Sequence, residues 1–145
     1  MVLEYRKADK TFKEFVYNEF VKMVYDYEDL NSININEVQR WEKTKLTKNI
    51  KNYTLVYNED IFMGCFWLKE EENYFELDDF YVKRDRRNQG IGSIVLGKCI
   101  DTARKSKKPI KLTVFKKNIG AVRFYERYGF SILEDLGTKL LMILR

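Results

Sequence analysis

Residues 74–93 read YFELDDFYVKRDRRNQGIGS, and this stretch decides the fold. The first nine residues, 74–82, have the composition of a β-strand, and a helix is expected to begin at the glycines that follow. Glycines at a strand-to-helix turn let backbone N–H groups point outwards, and the helix N-terminus adds positive potential. The segment therefore predicts an anion site suited to a phosphate group.

Two familiar glycine loops can be tested against this turn. A P-loop needs Gly-Lys-Ser/Thr at its end, but Gly92 is followed directly by Ser93. A dinucleotide-binding fingerprint needs a third glycine where Val95 stands and an acidic residue about 20 positions further on. Leu112 and Thr113 occupy that later region, so both patterns fail. The pattern present is R-x-x-G-x-G.

The rest of the chain alternates strands and helices around this segment. A capping box at Thr11 and Glu14 predicts the first helix, and a second is expected from Asn34 or Asn36, burying Ile35, Val38, Trp41 and Leu46. The expected order β-α-α-β-β-β-α-β-α-β-β predicts an α/β protein with a mixed sheet and helices on its faces. No linker interrupts residues 1–145, so we expect a single domain. The strands are expected at 3–7, 53–57, 61–68, 74–82, 110–115, 130–133 and 139–144, and the later helices at 90–105 and 118–128.

The composition removes several mechanisms. The chain has 145 residues and no histidine, which excludes a Ser-His-Asp triad, a Cys-His pair and a His-based zinc helix. A general base must then be a carboxylate, a tyrosine, a lysine or a held water. Cys65 and Cys99 are too few for a disulfide framework or a four-ligand zinc site, so we expect no metal and a reducing compartment.

The N-terminal stretch and the apolar runs indicate the cellular location of the protein. The N-terminal stretch is charged from residue 4, and the longest apolar runs fall short of the roughly 20 residues that a membrane helix needs. We therefore expect a cytoplasmic protein with no membrane partner.

Charge is distributed unevenly along the chain. Residues 1–72 carry a net charge of −3, whereas residues 73–145 carry +8. A basic half is typical of proteins that bind nucleic acid, an anionic membrane or a polyanionic small molecule. The basic residues show neither dense clustering nor a nucleic-acid motif, so we do not expect a nucleic-acid partner.

A second motif lies downstream of the glycine turn. Residues 118–130 read NIGAVRFYERYGF, which gives N-x-x-A-x-x-F-Y-x-x-x-G-F. With R-x-x-G-x-G at Arg87–Gly92, it resembles the GNAT superfamily of N-acetyltransferases. The two motifs cover about residues 74–130, and Gly64 stands where that family often has a glycine in the preceding strand.

The resemblance implies a fold and an activity. The fold would be one mixed, largely antiparallel sheet of six or seven strands with about four helices, in which two central parallel strands splay to admit coenzyme A. The activity would be acetyl transfer from acetyl-CoA to a primary amine, by direct attack on the thioester in a ternary complex. A non-catalytic acyl-CoA sensor of the same fold is the alternative, and the chain would act as a monomer or homodimer.

The resemblance also implies the cofactor-binding residues. The pyrophosphate would lie on the amides of the glycine turn, with the pantetheine arm along the preceding strand. Arg84, Arg86, Lys116 and Lys117 are looser candidates for the phosphates. The expected cofactor-binding residues are Phe80, Tyr81, Val82, Arg87, Asn88, Gln89, Gly90, Ile91, Gly92, Ser93, Asn118, Ala121 and Tyr125.

Three groups are expected to carry the chemistry. Glu76 stands where some members of the resembled family have a catalytic glutamate, so it is the preferred base, directly or through a water, with Asp78 the second choice. By resemblance, Tyr125 donates a proton to the departing thiolate, and the backbone N–H of Val82 polarises the thioester carbonyl. Alternation along the strand predicts that Glu76, Asp78, Phe80 and Val82 share one face and that Leu77, Asp79 and Tyr81 share the other.

Acidic stretches suggest the acceptor. Residues 25–31 read YDYEDLN, and further acids stand at Glu70–Glu72, Asp78 and Asp79. Negative potential attracts cations, and aromatic side chains bind them. We therefore expect a small-molecule or peptide amine as acceptor, and a cationic one.

Overall fold

The computed structural model describes all 145 residues, and it contains one seven-stranded sheet with four α-helices. The strand order is β1-β2-β3-β4-β5-β7-β6, and only the β4–β5 pair is parallel. The expected mixed, largely antiparallel sheet and the expected order of elements are both confirmed. The strands are β1 (Glu4–Lys7), β2 (Thr54–Asn58), β3 (Ile61–Glu70), β4 (Phe75–Val82), β5 (Ile110–Phe115), β6 (Ser131–Asp135) and β7 (Lys139–Leu144). The helices are α1 (Lys13–Tyr27), α2 (Ile35–Asn49), α3 (Ile91–Lys105) and α4 (Ile119–Arg127).

The first two helices differ from expectation in detail. Thr11 does not cap α1; the carboxylate of Asp9 accepts the Thr11 amide instead and starts a 3₁₀ turn, Lys10–Phe12, that leads into α1. In α2, Asn34 is the N-cap, as one of the two expected starts. The expected burial of Trp41 is wrong, because its neighbour Glu42 is fully buried while Trp41 is 59% exposed.

The helices cover both faces of the sheet. Helices α3 and α4 pack on one face, where Leu77, Val95, Leu96, Leu112 and Met142 are among the residues of the larger core. On the other face a smaller core includes residues from the first two helices and the middle of the sheet: Val16, Leu46, Tyr53, Leu55, Cys65, Trp67 and Tyr81. Cys65 and Cys99 are buried, free thiols in these two cores. No helix is long and apolar enough to span a bilayer.

Strands β4 and β5 separate partway along their length. They pair in parallel over only three residues each, Phe75–Leu77 with Ile110–Leu112. Strand β5 continues to pair with β7 as far as Phe115, so it is β4 that diverges towards Val82. The result is an open wedge between the carboxyl ends of two neighbouring strands, as the resemblance implied.

A bulge in β4 changes which face its side chains occupy. Cys65 pairs with Tyr81, and Trp67 pairs with Asp78. One residue of β3 therefore lies between these two pairs, whereas two residues of β4 do. The extra residue is Asp79, whose φ of 44° lies in the left-handed region that Asp tolerates better than most residues. The expected alternation is therefore wrong beyond Asp78. Asp79 and Tyr81 lie with Asp78 on the α1–α2 side, whereas Leu77, Phe80 and Val82 pack on the α3–α4 core.

Gly64 makes this part of the sheet possible. A Cβ atom at this position would collide with the carbonyl oxygen of Tyr81 and press on the Cα of Val82. Because both obstacles are backbone, no side-chain movement could relieve them. The glycine in β3 therefore lets the two strands meet next to the bulge.

Candidate active site

The turn after β4 presents unpaired amides. Asn88 and Gly90 have φ values of 62° and 80°, and Gly90 is the N-cap of α3. A glycine N-cap has no side chain to accept the first amides of the helix, and no cap hydrogen bond is made here. The N–H groups that open α3, at Ile91, Gly92 and Ser93, are therefore available to an anion.

Basic side chains surround this turn. Arg87 is exposed, and its Nε donates to the carbonyl oxygen of Val82 at 3.0 Å, which ties the turn to the end of β4. The Nε of Arg86 is buried without a hydrogen-bond partner, and Arg84 is exposed. Of the two looser lysine candidates, Lys116 is paired with Asp135 at 2.8 Å, whereas Lys117 is exposed and makes no ion pair. Asn88 and Gln89 are exposed on the same turn.

The turn adjoins the open wedge through Gly92. A Cβ atom there would lie 3.6 Å from the ring of Phe124, 3.9 Å from that of Phe80 and 3.9 Å from a methyl group of Val82. The start of α3, the end of β4 and the middle of α4 therefore meet at one point. The structure brings the two sequence motifs together there.

The backbone N–H of Val82 points into the wedge. Lys83, the next residue, donates its amide to Met63 of β3 at 2.8 Å. Successive amides of a strand point to opposite sides, so the N–H of Val82 points away from β3 and towards the side where β5 has separated. A donor in this position can polarise a carbonyl oxygen held in the wedge.

A cavity of about 360 Å³ occupies the wedge. Its walls come from β4, β5, α1, α2 and α4, with one lysine each from β3 and β7. It is lined by six of the residues that the sequence predicts for the catalytic and cofactor-binding site: Glu76, Phe80, Tyr81, Asn118, Ala121 and Tyr125. The second-choice base, Asp78, also lines it.

Helix α4 supplies a tyrosine and an asparagine to this cavity. The Tyr125 side chain packs on Phe124 and Phe130, with ring centroids 5.4 and 5.7 Å apart, and burial raises its pKa above the ordinary value. Asn118 caps α4 by accepting the Ala121 amide at 3.3 Å. Tyr125 therefore keeps its proton at neutral pH and can serve as a donor.

Glu76 and Tyr81 differ in which of their groups can contact a ligand. Glu76 is half-buried, and its Oε2 lies 3.5 Å from Lys69, so its other carboxylate oxygen is free to contact a ligand in the cavity. The hydroxyl of Tyr81 donates to Asp79 at 2.9 Å and is buried in the smaller core. The part of Tyr81 left to contact a ligand in the wedge is therefore its backbone.

A buried charge cluster forms one wall of the cavity. The Nζ of Lys45 lies 2.9 Å from Oε1 of Glu42, 3.0 Å from Oδ2 of Asp78 and 2.9 Å from Oδ2 of Asp79. Burial, together with the charge of Asp79, raises the pKa of Asp78 above its ordinary value, although Lys45 opposes the change. The three carboxylates surround an ammonium group, and nowhere are three or more Cys, Asp or Glu side chains arranged to hold a metal ion.

Sequence reasoning missed Glu42 and Lys45 in this cluster. Both lie on α2, and their spacing of three places them on the same side of the helix. The signal present in the sequence was a Glu-x-x-Lys pair one residue from Trp41, but the same pattern is typical of exposed helix faces. Only the packing of α2 on β4 distinguishes the two cases.

The aromatic wall of the cavity is not the one expected. Phe20 and Trp41 line it, with ring centroids 6.5 Å apart. None of residues 25–31 lines the cavity, and the Glu70 carboxylate is paired with Lys108 at 2.8 Å outside it. The acidic residues that do line it are Glu76, Asp78 and Asp79.

The wedge, the glycine turn and the cavity are continuous, so a long ligand with an anionic end can lie between the two splayed strands. The sequence model of the acetyltransferase (GNAT) family matches residues 14–130, and the chain belongs to this family.

Relatives of known sequence agree with this membership. An uncharacterized N-acetyltransferase of Methanocaldococcus jannaschii is 33% identical over 84 residues, which are 56% of this chain and 37% of that protein. A protein of Bacillus subtilis subsp. natto named "Probable spermine N(1)-acetyltransferase" is 30% identical over 82 residues, 55% of this chain and 48% of that protein. The chain thus spans less than half the length of either relative.

A solved structure shows the same fold over the whole chain. The PaiA N-acetyltransferase of Thermoplasma acidophilum, in complex with coenzyme A, superposes with a TM-score of 0.74. The match covers 100% of this chain and 99% of that one, at 20% sequence identity.

Proposed function

We propose that the protein transfers an acetyl group from acetyl-CoA to a primary amine. The observation that carries the proposal is the wedge between β4 and β5, with the Val82 amide pointing into it and the unpaired amides of α3 at its end. Family membership and the coenzyme A complex of the Thermoplasma structure support the choice of cofactor.

The residues present suit coenzyme A. A Cβ atom at Gly92 would lie in van der Waals contact with Phe80, Val82 and Phe124, so the start of α3 lies directly beside the wedge and a phosphate on its amides would be next to the wedge. The α3 amides and the exposed Arg84 and Arg87 would hold the phosphates, which carry several negative charges. When bound there, the cofactor supplies an activated acetyl thioester.

The residues of the chain would then act as follows. The acceptor amine attacks the thioester carbonyl, whose oxygen gains negative charge and is stabilised by the N–H of Val82. Glu76 takes the proton that the amine must lose, directly or through a water, and Tyr125 donates a proton to the departing thiolate. Asp78, fixed by Lys45 at 3.0 Å, supplies a negative charge beside the amine.

The cavity wall favours a cationic acceptor. Of the three lysines that line it, Lys45 and Lys69 are held by carboxylates, whereas Lys139 makes no ion pair and lies over the Phe115 ring. Phe20 and the largely exposed Trp41 offer aromatic faces to an ammonium group. The name of the Bacillus relative points to the same class of acceptor, the polyamines.

A free-thiol release assay tests the proposal. Acetyl-CoA would be supplied with spermine, an aliphatic monoamine, an aromatic amine that is uncharged at neutral pH, and an acidic amino acid, each at the same concentration. We expect thiol release with amines, highest for spermine, and a loss of about 100-fold in kcat/KM for Glu76→Gln, since a general base contributes roughly that factor.

The assay also separates the alternatives. Activity only with uncharged or anionic acceptors would overturn the cationic acceptor. Tight acetyl-CoA binding without turnover on any amine would indicate a sensor domain instead. If Asp78→Asn rather than Glu76→Gln removes the acidic limb of the pH profile, Asp78 is the base.

A further inference from the structure

The three carboxylates around Lys45 differ in the number of hydrogen bonds that they accept. Asp79 accepts from the hydroxyls of Tyr53 and Tyr81, at 2.6 and 2.9 Å, and Asp78 accepts from the Asp79 amide at 2.9 Å. Lys45 donates its hydrogen bond to Asp78. The oxygens of Glu42 have no hydrogen-bond partner, although the Lys45 Nζ stands 2.9 Å from one of them.

Glu42 is also the most deeply buried of the three. Its side chain is 0% exposed, against 27% for Asp78 and 4% for Asp79. Three carboxylates share one ammonium, so full ionisation would leave two uncompensated negative charges in a largely buried cluster. Removing a charge from such a site by protonation is far less costly than burying it unpaired.

Glu42 is therefore the carboxylate that takes up the proton. Burial raises its pKa to about 8, and the neighbouring charge of Asp79 acts in the same direction against the opposing effect of Lys45. The cluster at neutral pH then consists of one ammonium, two carboxylates and one neutral acid.

Other charged groups around the cluster come from every element packed on it. On α1 the buried Glu19 lies 3.8 Å from Lys22, and on β3 Lys69 is paired with Glu76 of β4. None of these four contacts Lys45 or Glu42 within ion-pair distance. The remaining titratable groups facing the cluster are Tyr53, Cys65 and Tyr81, and burial raises the pKa of each, so they stay neutral.

We propose that Glu42 is a positioning residue whose proton keeps the ammonium of Lys45 on Asp78, and that Asp78 thereby presents a fixed negative charge to the acceptor. Glu42 itself does not line the cavity. Once Glu42 loses its proton, its carboxylate competes for the ammonium, and the hydrogen bond that fixes Asp78 weakens. The protonation of Glu42 rests on the cluster alone, whereas its effect on the acceptor rests on the proposed function.

Carboxyl ¹³C NMR of the whole protein tests the proton directly. We expect one glutamate signal that titrates near pH 8, absent in Glu42→Gln and retained in Glu19→Gln, the matched control. The ¹⁵Nζ signal of Lys45, assigned with Lys45→Met, should show a step at the same pH in the wild type only. Glutamates that all titrate near their ordinary pKa of about 4.3 would overturn the proposal.

Stability gives an independent readout. A pKa raised on folding adds stability that is fully present below the ordinary pKa and is lost as the pH rises through about 8. The melting temperature of the wild type should therefore fall relative to that of Glu42→Gln between pH 6 and pH 9. A difference in melting temperature that does not vary with pH would contradict the proposal even if the variant is less stable throughout.

Kinetics test the link to the acceptor. The KM for a cationic amine should change across pH 8 in the wild type and stay constant in Glu42→Gln, with Glu19→Gln behaving like the wild type. Matching pH profiles for wild type and Glu42→Gln would remove the acceptor role. Absence of any turnover would count against the proposed function, while the NMR titration would still decide the state of Glu42.

Discussion

Tyr125 can donate a proton in the proposed reaction but cannot accept one. Its raised pKa, caused mainly by burial against the α3–α4 core, keeps the hydroxyl protonated at every pH at which the protein would be assayed. Such a group cannot accept the amine proton, but it can donate to a departing thiolate. The acid and the base of the proposed reaction therefore belong to different elements, α4 and β4.

Replacing this hydroxyl should affect turnover and leave cofactor binding intact. We expect Tyr125→Phe to lower kcat by about 100-fold, the lower range for loss of a general acid, with little change in the Kd for coenzyme A. Tyr128→Phe is the matched control, because Tyr128 caps the end of α4 and packs on Phe124 but does not line the cavity. Equal kcat values for Tyr125→Phe and wild type would exclude Tyr125 from the mechanism.

At the scale of the element, helix α3 depends on how it begins. Gly90 has a φ of 80°, which turns the first amides of α3 towards the wedge, and a Cβ there would meet no atom within 4 Å. Gly97, in the interior of the same helix, also faces open space but has an ordinary φ. Neither position has a steric obstacle to a Cβ atom, so a comparison of the two glycines isolates the effect of backbone conformation.

Alanine should have opposite effects at these positions. We expect Gly90→Ala to destabilise the protein by about 1–2 kcal/mol, the cost of a left-handed conformation for a residue with a Cβ. Gly97→Ala should stabilise it by about 0.5–1 kcal/mol, the difference between these residues inside a helix. Denaturant unfolding measures both, and a stabilising Gly90→Ala would show that the left-handed N-cap is not required.

Elements with local signals were predictable, and features made by packing were not. Strand β4, the glycine turn and the cap at Asn34 follow from neighbouring residues, so the sequence indicates them. The bulge at Asp79 depends on how β4 pairs with a different strand, β3, around Cys65 and Trp67. The burial of Glu42 depends on Lys45 finding two aspartates on a different element, which no periodicity within α2 reveals.

At the scale of the molecule, the two parts of the site differ in charge, although the difference does not follow the net charges of the two halves of the chain. The basic half contributes both the glycine turn and the acidic residues of β4, whereas the acidic half contributes Phe20, Trp41 and Lys45 to the acceptor wall. A polyanionic cofactor and a cationic acceptor can therefore approach from surfaces of different potential.

Cofactor binding should stabilise the whole fold, because the wedge exists only in the native state. At 100 times its Kd, a ligand adds about 2.7 kcal/mol, which for a chain of this size raises Tm by roughly 5–10 °C. Thermal unfolding with acetyl-CoA, with coenzyme A and with duplex DNA at matched salt measures this. A shift with DNA that falls steeply with salt, and none with coenzyme A, would indicate a nucleic-acid binder instead.

The bulge at Asp79 also gives β4 a pair of carboxylates that a regular strand could not supply. Successive residues of a regular strand point to opposite faces, so Asp78 and Asp79 could not both reach the ammonium of Lys45 without the extra residue. Deleting Asp79 would restore regular pleating and leave Phe80, Tyr81 and Val82 on the sides that they now occupy. The loss would fall on the buried cluster, because Lys45, Tyr53 and Tyr81 would lose the carboxylate that they share.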